Sequence, residues 1–315
     1  MELQPIQTEQ RPRPLNTVFF NERGLRAGWR LLIFVAILFV LQFVLGLVLK
    51  AVMRPASAPP SPPSGISPTV ALPEIVLFVF VAFASWLMSR MEKRDMGEYG
   101  LPLKNSGFLS QFALGYLFWG FLPLALLLSV MRLLHVFYFG GLALHAGQIL
   151  YWGLIWWGVF LLVGLFEEYL LRGYLLYTLA DGIGFWPAAI VLASLFALGH
   201  ARNSGETRIG VIMTALFAIF ASIVLWRTGS LWLAVGSHAG WDWGESYFFG
   251  TNDSGLPAQG HLLNSHTAGP GWLSGGSVGP EGSMLTLILM LLMSITAYFV
   301  LRKPSRKPAL VITPR

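Results

Sequence analysis

The chain has 315 residues, of which 55% are hydrophobic and only 11% are charged, and its formal net charge is +6. An ordinary soluble domain has about 25% charged residues, so this composition excludes a soluble globular protein and indicates a membrane protein. The absence of cysteine excludes disulfide bonds, a thiol nucleophile and thiolate metal ligands.

Apolar segments of about 17 to 25 residues, the length that a helix needs to cross a bilayer, recur along the chain. The alternating ten-residue pattern of a membrane β-barrel is absent. We therefore predict an all-α polytopic membrane protein, a bundle of about eight transmembrane helices with a polar intramembrane site. The predicted helices are Gly28–Val52, Val70–Arg90, Phe108–Leu134, Ile149–Leu179, Phe185–His200, Ile209–Trp226, Ser230–Phe248 and Met284–Leu301.

Lysine and arginine concentrate in three stretches that share one side of an eight-helix topology. Because cytoplasmic loops are enriched in these residues, we predict that both termini are cytoplasmic, in what we expect to be a bacterial inner membrane. Membrane topology therefore accounts for the net positive charge. Nucleic-acid binding is not indicated, since no basic stripe is interleaved with exposed aromatic residues. The residues are Arg11, Arg13, Arg23, Arg26 and Arg30; Arg90, Lys93, Arg94 and Lys104; and Arg302, Lys303, Arg306, Lys307 and Arg315.

Composition divides the chain into five regions. A polar cytoplasmic segment (1–30) precedes two helices joined by a Pro-rich loop (31–89) and a core (90–248). A Gly/Ser-rich extracytoplasmic loop (249–283) and the last helix with its basic tail (284–315) complete the chain. We predict that the Gly/Ser-rich loop is either a flexible connector or a lid over a site.

Three ionisable residues interrupt the fourth predicted helix. An ionisable residue near the middle of a membrane costs roughly 2.5 to 3.5 kcal/mol, so Glu167, Glu168 and Arg172 require compensation or a function. Glu168 and Arg172 are four residues apart, which places them on one helical face as an ion pair. Glu167 lies about 100° round the helix and is left free to act as a general base on water.

Two further predicted helices carry polar residues with the same spacing. Phe196 and His200 are four residues apart, and so are His238 and Asp242. Each group also has a purely structural interpretation: an ion pair that holds helices together, an interfacial histidine at His200, or a satisfied His238–Asp242 pair. Three such coincidences are less probable than one shared site.

These residues form motifs that resemble those of the CPBP family, the CAAX protease and bacteriocin-processing membrane proteins that include the Ras-converting CAAX endopeptidases. That family has the motifs EExxxR and FxxxH, followed by a histidine with a polar residue, usually Asn, at the end of the third motif. The resemblance covers roughly Arg90–Phe248, so region 90–248 would be the catalytic core. The matching residues are Glu167, Glu168 and Arg172; Phe196 and His200; and His238 and Asp242.

The resemblance implies an endopeptidase that acts on membrane-associated peptides, prenylated CAAX-like or leader peptides among them, in a lipid bilayer. In one mechanism, Glu167 and His200 activate water while His238 and Asp242, protonated or through water, stabilise the oxyanion. In the other, His200, His238 and Glu167 or Asp242 hold Zn²⁺. The sequence lacks HExxH, and we favour the metal-free mechanism. Asp242 replaces the Asn of the prenyl-protein proteases, and an ionised Asp cannot donate a hydrogen bond.

Either mechanism requires Glu167 and His200 to lie at the same depth in the membrane, and the predicted helices do not place them there. A straight fifth helix would carry His200 toward the side opposite Glu167. The two can meet only if that helix is short, tilted or broken near residues 181–184, or if the predicted boundaries are displaced.

Other classes of protein make different predictions. A non-catalytic membrane scaffold or bacteriocin-immunity-type protein is the main alternative. A transporter would show matching polar sites in two halves, whereas here the polar residues cluster between positions 167 and 242. A serine protease is disfavoured because Ser237 directly precedes His238 on a helix, where adjacent residues do not face each other.

Overall fold

The computed structural model describes residues 18–22, 24–52, 66–104, 107–203, 205–253 and 255–301. Most of the polar N-terminal segment, most of the Pro-rich loop and the basic tail lie outside the described residues. The predictions for those regions therefore stay predictions.

Helices dominate the described chain, and each of the eight predicted apolar segments is helical. Five helical segments are long and apolar enough to cross a membrane, and two others are shorter and apolar, so the fold is an all-α polytopic membrane fold. The number of eight crossings stays a prediction. The helices are α1 (Ala27–Val52), α2 (Ala71–Glu92), α3 (Phe108–Leu133), α4 (Ala146–Ile183), α5 (Phe185–His200), α6 (Arg208–Thr228), α7 (Trp232–Asp242), the short α8 (Gly271–Ser274) and α9 (Met284–Val300).

Helices α4 and α5 form a hairpin whose first arm is bent. The backbone of α4 departs from helical geometry at Gly173 (φ −80°, ψ −122°), inside a π-helical stretch at Leu171–Leu175. The turn to α5 is made at Gly184, whose φ of +89° is a conformation that favours glycine. Helix α4 therefore ends at Ile183, four residues beyond the predicted Leu179.

Helices α3 and α7 approach so closely that their backbones touch. A Cβ atom at Gly240 would lie 2.2 Å from the Tyr116 carbonyl oxygen, and one at Gly120 would lie 2.4 Å from the Ser237 carbonyl oxygen. The middle of α3, at Gly115–Phe121, is itself π-helical. Glycine at these positions lets the helices pack at a distance that any side chain would prevent.

Six two-residue strands form three antiparallel pairs, and the loop after α7 supplies half of them. The loop also pairs with the chain before α2 at Ile66↔Ala258 and with the α3–α4 connection at Leu142↔Leu263. The loop is therefore folded over one end of the bundle, and its role as a connector or as a lid stays a prediction. The strands are β1 (Phe20–Asn21) with β2 (Gly24–Leu25), β3 (Phe137–Tyr138) with β6 (His266–Thr267), and β4 (Asn252–Asp253) with β5 (Leu256–Pro257).

Candidate active site

The predicted ion pair between Glu168 and Arg172 is present and fully buried. Arg172 Nη1 lies 3.1 Å from Glu168 Oε1, and the two side chains are 2% and 0% exposed. The same carboxylate oxygen lies 3.1 Å from His238 Nδ1 on α7. Glu168 therefore joins α4 to α7 and fixes the orientation of the His238 ring, because its oxygen accepts a hydrogen bond from each partner.

Glu167 has a different environment although it is the next residue along α4. Its side chain is 22% exposed, and its Oε2 lies 3.5 Å from His238 Nε2. The step of about 100° between adjacent helical residues turns Glu167 away from Arg172. Two neighbouring carboxylates thus differ, since one is buried and paired and the other reaches open space.

His238 and Asp242 share one face of α7, as their spacing predicts. Asp242 Oδ2 lies 3.5 Å from His238 Nε2, so this ring nitrogen faces the carboxylates of both Asp242 and Glu167. The His238 ring also packs against the Phe217 ring of α6, with centroids 4.9 Å apart. Gly164 favours this approach of α4 and α7, because a Cβ there would lie 3.1 Å from the Val235 carbonyl oxygen, which is a tight contact.

Helix α5 contributes Phe196 and His200. The Arg172 guanidinium lies over the Phe196 ring, and the His200 ring packs against the same ring with centroids 4.4 Å apart. His200 Nδ1 lies 3.0 Å from the Phe196 carbonyl oxygen. A carbonyl can only accept a hydrogen bond, so Nδ1 carries the hydrogen and Nε2 remains available to accept a proton.

The symmetry of the α4–α5 hairpin resolves the depth difficulty. Glu167 precedes Ile183, the end of α4, by 16 residues, and His200 follows Phe185, the start of α5, by 15 residues. At 1.5 Å per residue both lie about 22 to 24 Å from the turn. Helix α5 has only 16 residues, and α4 extends four residues further than predicted. Glu167 and His200 therefore lie at a similar distance from the turn, and so at a similar depth in the bundle.

These motifs meet at a cavity of about 710 Å³. Glu167, His200, His238 and Asp242 line the cavity, whereas Glu168 and Arg172 lie behind its wall. The structure therefore brings all six predicted residues into one region but gives them two kinds of position. Four can meet a ligand, and the other two contact those four or the helices that carry them.

The cavity wall includes polar residues that the sequence analysis missed. Glu74 comes from α2, Asn203 from the α5–α6 loop, and Asp253 and Glu281 from the loop after α7. Glu74 was detectable as an acid inside a predicted transmembrane helix, a feature that itself suggests function. The three loop residues have no local sequence signal, because only the folding of the loops brings them to the cavity.

The geometry does not support the predicted zinc site at His200, His238 and Glu167. Among the described residues, no group of three His, Asp or Glu side chains is arranged to hold a metal ion. The described residues therefore give no support to the metallopeptidase mechanism.

Comparison with known families identifies the same part of the chain. No curated protein and no solved structure matches. The family model of the type II CAAX prenyl endopeptidases, Rce1-like, matches residues 149–244, a segment that contains all three motifs. This match confirms, over that segment, the resemblance of the chain to the CAAX protease family.

Proposed function

We propose that the chain is an intramembrane endopeptidase that hydrolyses peptide bonds of membrane-associated peptides with a water molecule activated by Glu167. The family match supports this class of activity. The contrast between Glu167 and Glu168 carries the proposal. A carboxylate that reaches a cavity beside two histidines can take a proton from water, and a carboxylate neutralised by Arg172 cannot.

The first step is the attack of water on the scissile carbonyl carbon. Glu167 removes one proton from the water while the oxygen forms a bond to that carbon. His200, with Nε2 free, shares in positioning the water. The carbonyl oxygen becomes an oxyanion, which needs a hydrogen-bond donor in the cavity.

His238 is the candidate donor to the oxyanion. Its ring is held through Nδ1 by Glu168, which points Nε2 toward the cavity side of α7. A protonated Nε2 can donate to the oxyanion. Asp242 Oδ2 lies 3.5 Å from the same nitrogen and can accept a hydrogen bond from it. Collapse of the intermediate breaks the carbon–nitrogen bond, and the proton held by Glu167 passes to the leaving amine.

Two classes of substrate are candidates. The matched family is named for CAAX prenyl endopeptidases, so a prenylated CAAX-like peptide is one candidate. Leader peptides anchored at the membrane are the other. The cavity volume accommodates a short peptide segment, and its walls combine apolar side chains with the carboxylates described above.

A cleavage assay on detergent-purified protein tests the proposal. Wild type should cleave members of a set of prenylated and unprenylated membrane peptides, and Glu167→Gln should lower the rate by about 10² to 10⁴. Glu98→Gln is the matched control, because Glu98 is a carboxylate on a loop outside the cavity and should retain activity. A metal chelator should have no effect.

Two results would contradict the proposal. Full activity of Glu167→Gln would remove Glu167 from the mechanism. Absence of cleavage by wild type, together with an unchanged cellular effect of Glu167→Gln, would favour the scaffold or immunity-type alternative.

A further inference from the structure

Loops at only one end of the bundle contribute to the cavity wall among the described residues. Besides the helix residues, its wall includes Ile66, Asn203, Asp253 and Glu281, which lie in three separate loops. These loops are at the same end, because Ile66 pairs with Ala258 and the Ser277 hydroxyl donates to the Gly205 carbonyl at 3.3 Å. No residue of the loops at the opposite end lines the cavity within the described chain.

The opposite end is closed by a buried layer of charged and aromatic side chains. Arg30 of α1 lies 3.6 Å from Glu92 of α2 and 3.2 Å from Asp181 of α4. Tyr174 donates a hydrogen bond to Glu92, and the Tyr99 ring packs against the rings of Tyr174 and Tyr177 at centroid distances of 5.0 Å. This buried layer joins three helices and the α2–α3 loop, and none of its residues lines the cavity that holds Glu167.

Positive charge identifies the closed end as the cytoplasmic one. Arg26, which begins the approach to α1, and Arg227, whose Nε donates to the Leu301 carbonyl at 2.7 Å, are both at this end. The basic tail follows directly after Leu301. By contrast, the loop 249–283 at the cavity end has no Lys or Arg. The described basic residues at the closed end are Arg26, Arg30, Arg90, Lys93, Arg94, Lys104 and Arg227, and those at the cavity end are Lys50, Arg132, Arg202 and Arg208. Cytoplasmic ends carry the excess of such residues.

The cavity also meets the lipid-facing surface of the bundle. Leu195 lines the cavity and is itself 56% exposed on the outside of α5. Leu195 therefore lies where the cavity is nearest to the lipid-facing surface. This is the side from which a substrate anchored in the bilayer would enter.

We propose that substrates enter this cavity from the extracytoplasmic side of the membrane. These substrates are exported polypeptides that are anchored in the membrane and cleaved near its extracytoplasmic surface. This inference rests on the proposed peptidase function. It narrows the substrate class, because a lipidated C-terminus that stays in the cytoplasm would meet the closed layer and not the cavity.

Thiol labelling tests the side of access independently of activity. Since the chain has no cysteine, single-cysteine variants report one position each. In intact cells a membrane-impermeant maleimide should label Ala268→Cys, in the folded loop, and Asn203→Cys, on the cavity wall. Met91→Cys, an exposed position near the closed layer, should react only after permeabilisation. Labelling of Met91→Cys from outside, or failure of Asn203→Cys to react before permeabilisation, would overturn the proposal.

A second measurement links access to cleavage. The probe is a peptide with one transmembrane segment and a fluorescent tail on each side, inserted in sealed right-side-out vesicles with the full chain. Wild type should release the outer tail and Glu167→Gln should release neither. Release of the inner tail alone would overturn the access proposal but leave the peptidase function standing. If detergent-solubilised wild type cleaves neither tail, the proposed function fails, and the labelling result still decides the side of access.

Discussion

The Arg172 guanidinium lies over the Phe196 ring, with Cζ 4.9 Å from the ring centroid. This contact joins the first motif to the second, because Arg172 lies on α4 and Phe196 on α5. The guanidinium is thus held between the Glu168 carboxylate and an aromatic face, an arrangement that stabilises a cation removed from water. Arg172 connects the two arms of the hairpin at the depth of the candidate site.

Arg172→Leu should be strongly destabilising. The substitution leaves the Glu168 carboxylate buried with only His238 as a partner, and breaking a buried pair costs about 3 to 5 kcal/mol. We expect a large fall in the melting temperature of the detergent-solubilised protein.

The double variant Glu168→Leu/Arg172→Leu provides the control for Arg172→Leu. It removes both charges and should recover most of the lost stability, because an apolar pair of similar volume can replace a buried ion pair. It should not recover cleavage, since His238 loses the acceptor at Nδ1. A double variant no more stable than Arg172→Leu would contradict this account of the pair.

Helix positions and the three motifs could be predicted from the sequence, for reasons that are local. Long apolar runs identify helices, and a spacing of four places Glu168 beside Arg172 and His238 beside Asp242 on one face. The resemblance added the expectation that the three motifs share a site. The contacts of Glu168 and Asp242 agree with these predictions.

The rest of the site depends on interactions that sequence spacing does not reveal. The common depth of Glu167 and His200 results from the turn at Gly184 and from the bend at Gly173, two glycines among 34 in the chain. Asp253 lies in a two-residue strand and Glu281 in the three-residue 3-10 helix Pro280–Gly282, and elements this short produce no recognisable pattern.

Gly240→Ala should prevent correct packing of α3 against α7. The new Cβ would lie 2.2 Å from the Tyr116 carbonyl oxygen, and because that oxygen belongs to a helix backbone it cannot move aside. We expect loss of folded protein in detergent, measured as the monodisperse fraction in size-exclusion chromatography. Gly158→Ala is the matched control, since a Cβ at this helical position contacts nothing within 4 Å. Equal yields of the two variants would disprove the close-packing argument.

Ser237→Ala should retain cleavage. The Ser237 hydroxyl donates a hydrogen bond to the Trp119 carbonyl at 2.6 Å and is directed at α3, not at the cavity. Its loss should reduce stability by about 0.5 to 1.5 kcal/mol, the usual net value of one hydrogen bond. The check is kcat/KM of the variant beside Glu167→Gln. A loss of activity as large as that of Glu167→Gln would revive the serine mechanism.

Asp253 provides a test that depends on pH. It lies in β4, outside the membrane-spanning helices, and burial raises the pKa of its carboxyl above the usual value for aspartate. Its Oδ2 accepts a hydrogen bond from the Ser246 hydroxyl at 2.9 Å, which only partly offsets the cost of burying the ionised form. The unfolded chain ionises this carboxyl at a lower pH than the folded chain does. The contribution of Asp253 to stability therefore falls as the pH rises through the interval between the two pKa values.

Asp253→Asn should accordingly stabilise the protein at high pH and have little effect at low pH. The amide oxygen of Asn still accepts the hydrogen bond from Ser246, so the substitution removes the charge and keeps the contact. We expect the melting temperature of Asp253→Asn to exceed that of wild type at about pH 8, with a difference that shrinks toward about pH 4, near the ordinary aspartate pKa. Ser246→Ala, which removes the donor and leaves the carboxyl, should show the opposite change at about pH 8 and lose stability relative to wild type. An Asp253→Asn difference that is constant with pH, or that reverses at high pH, would show that the buried carboxyl is stabilised when ionised.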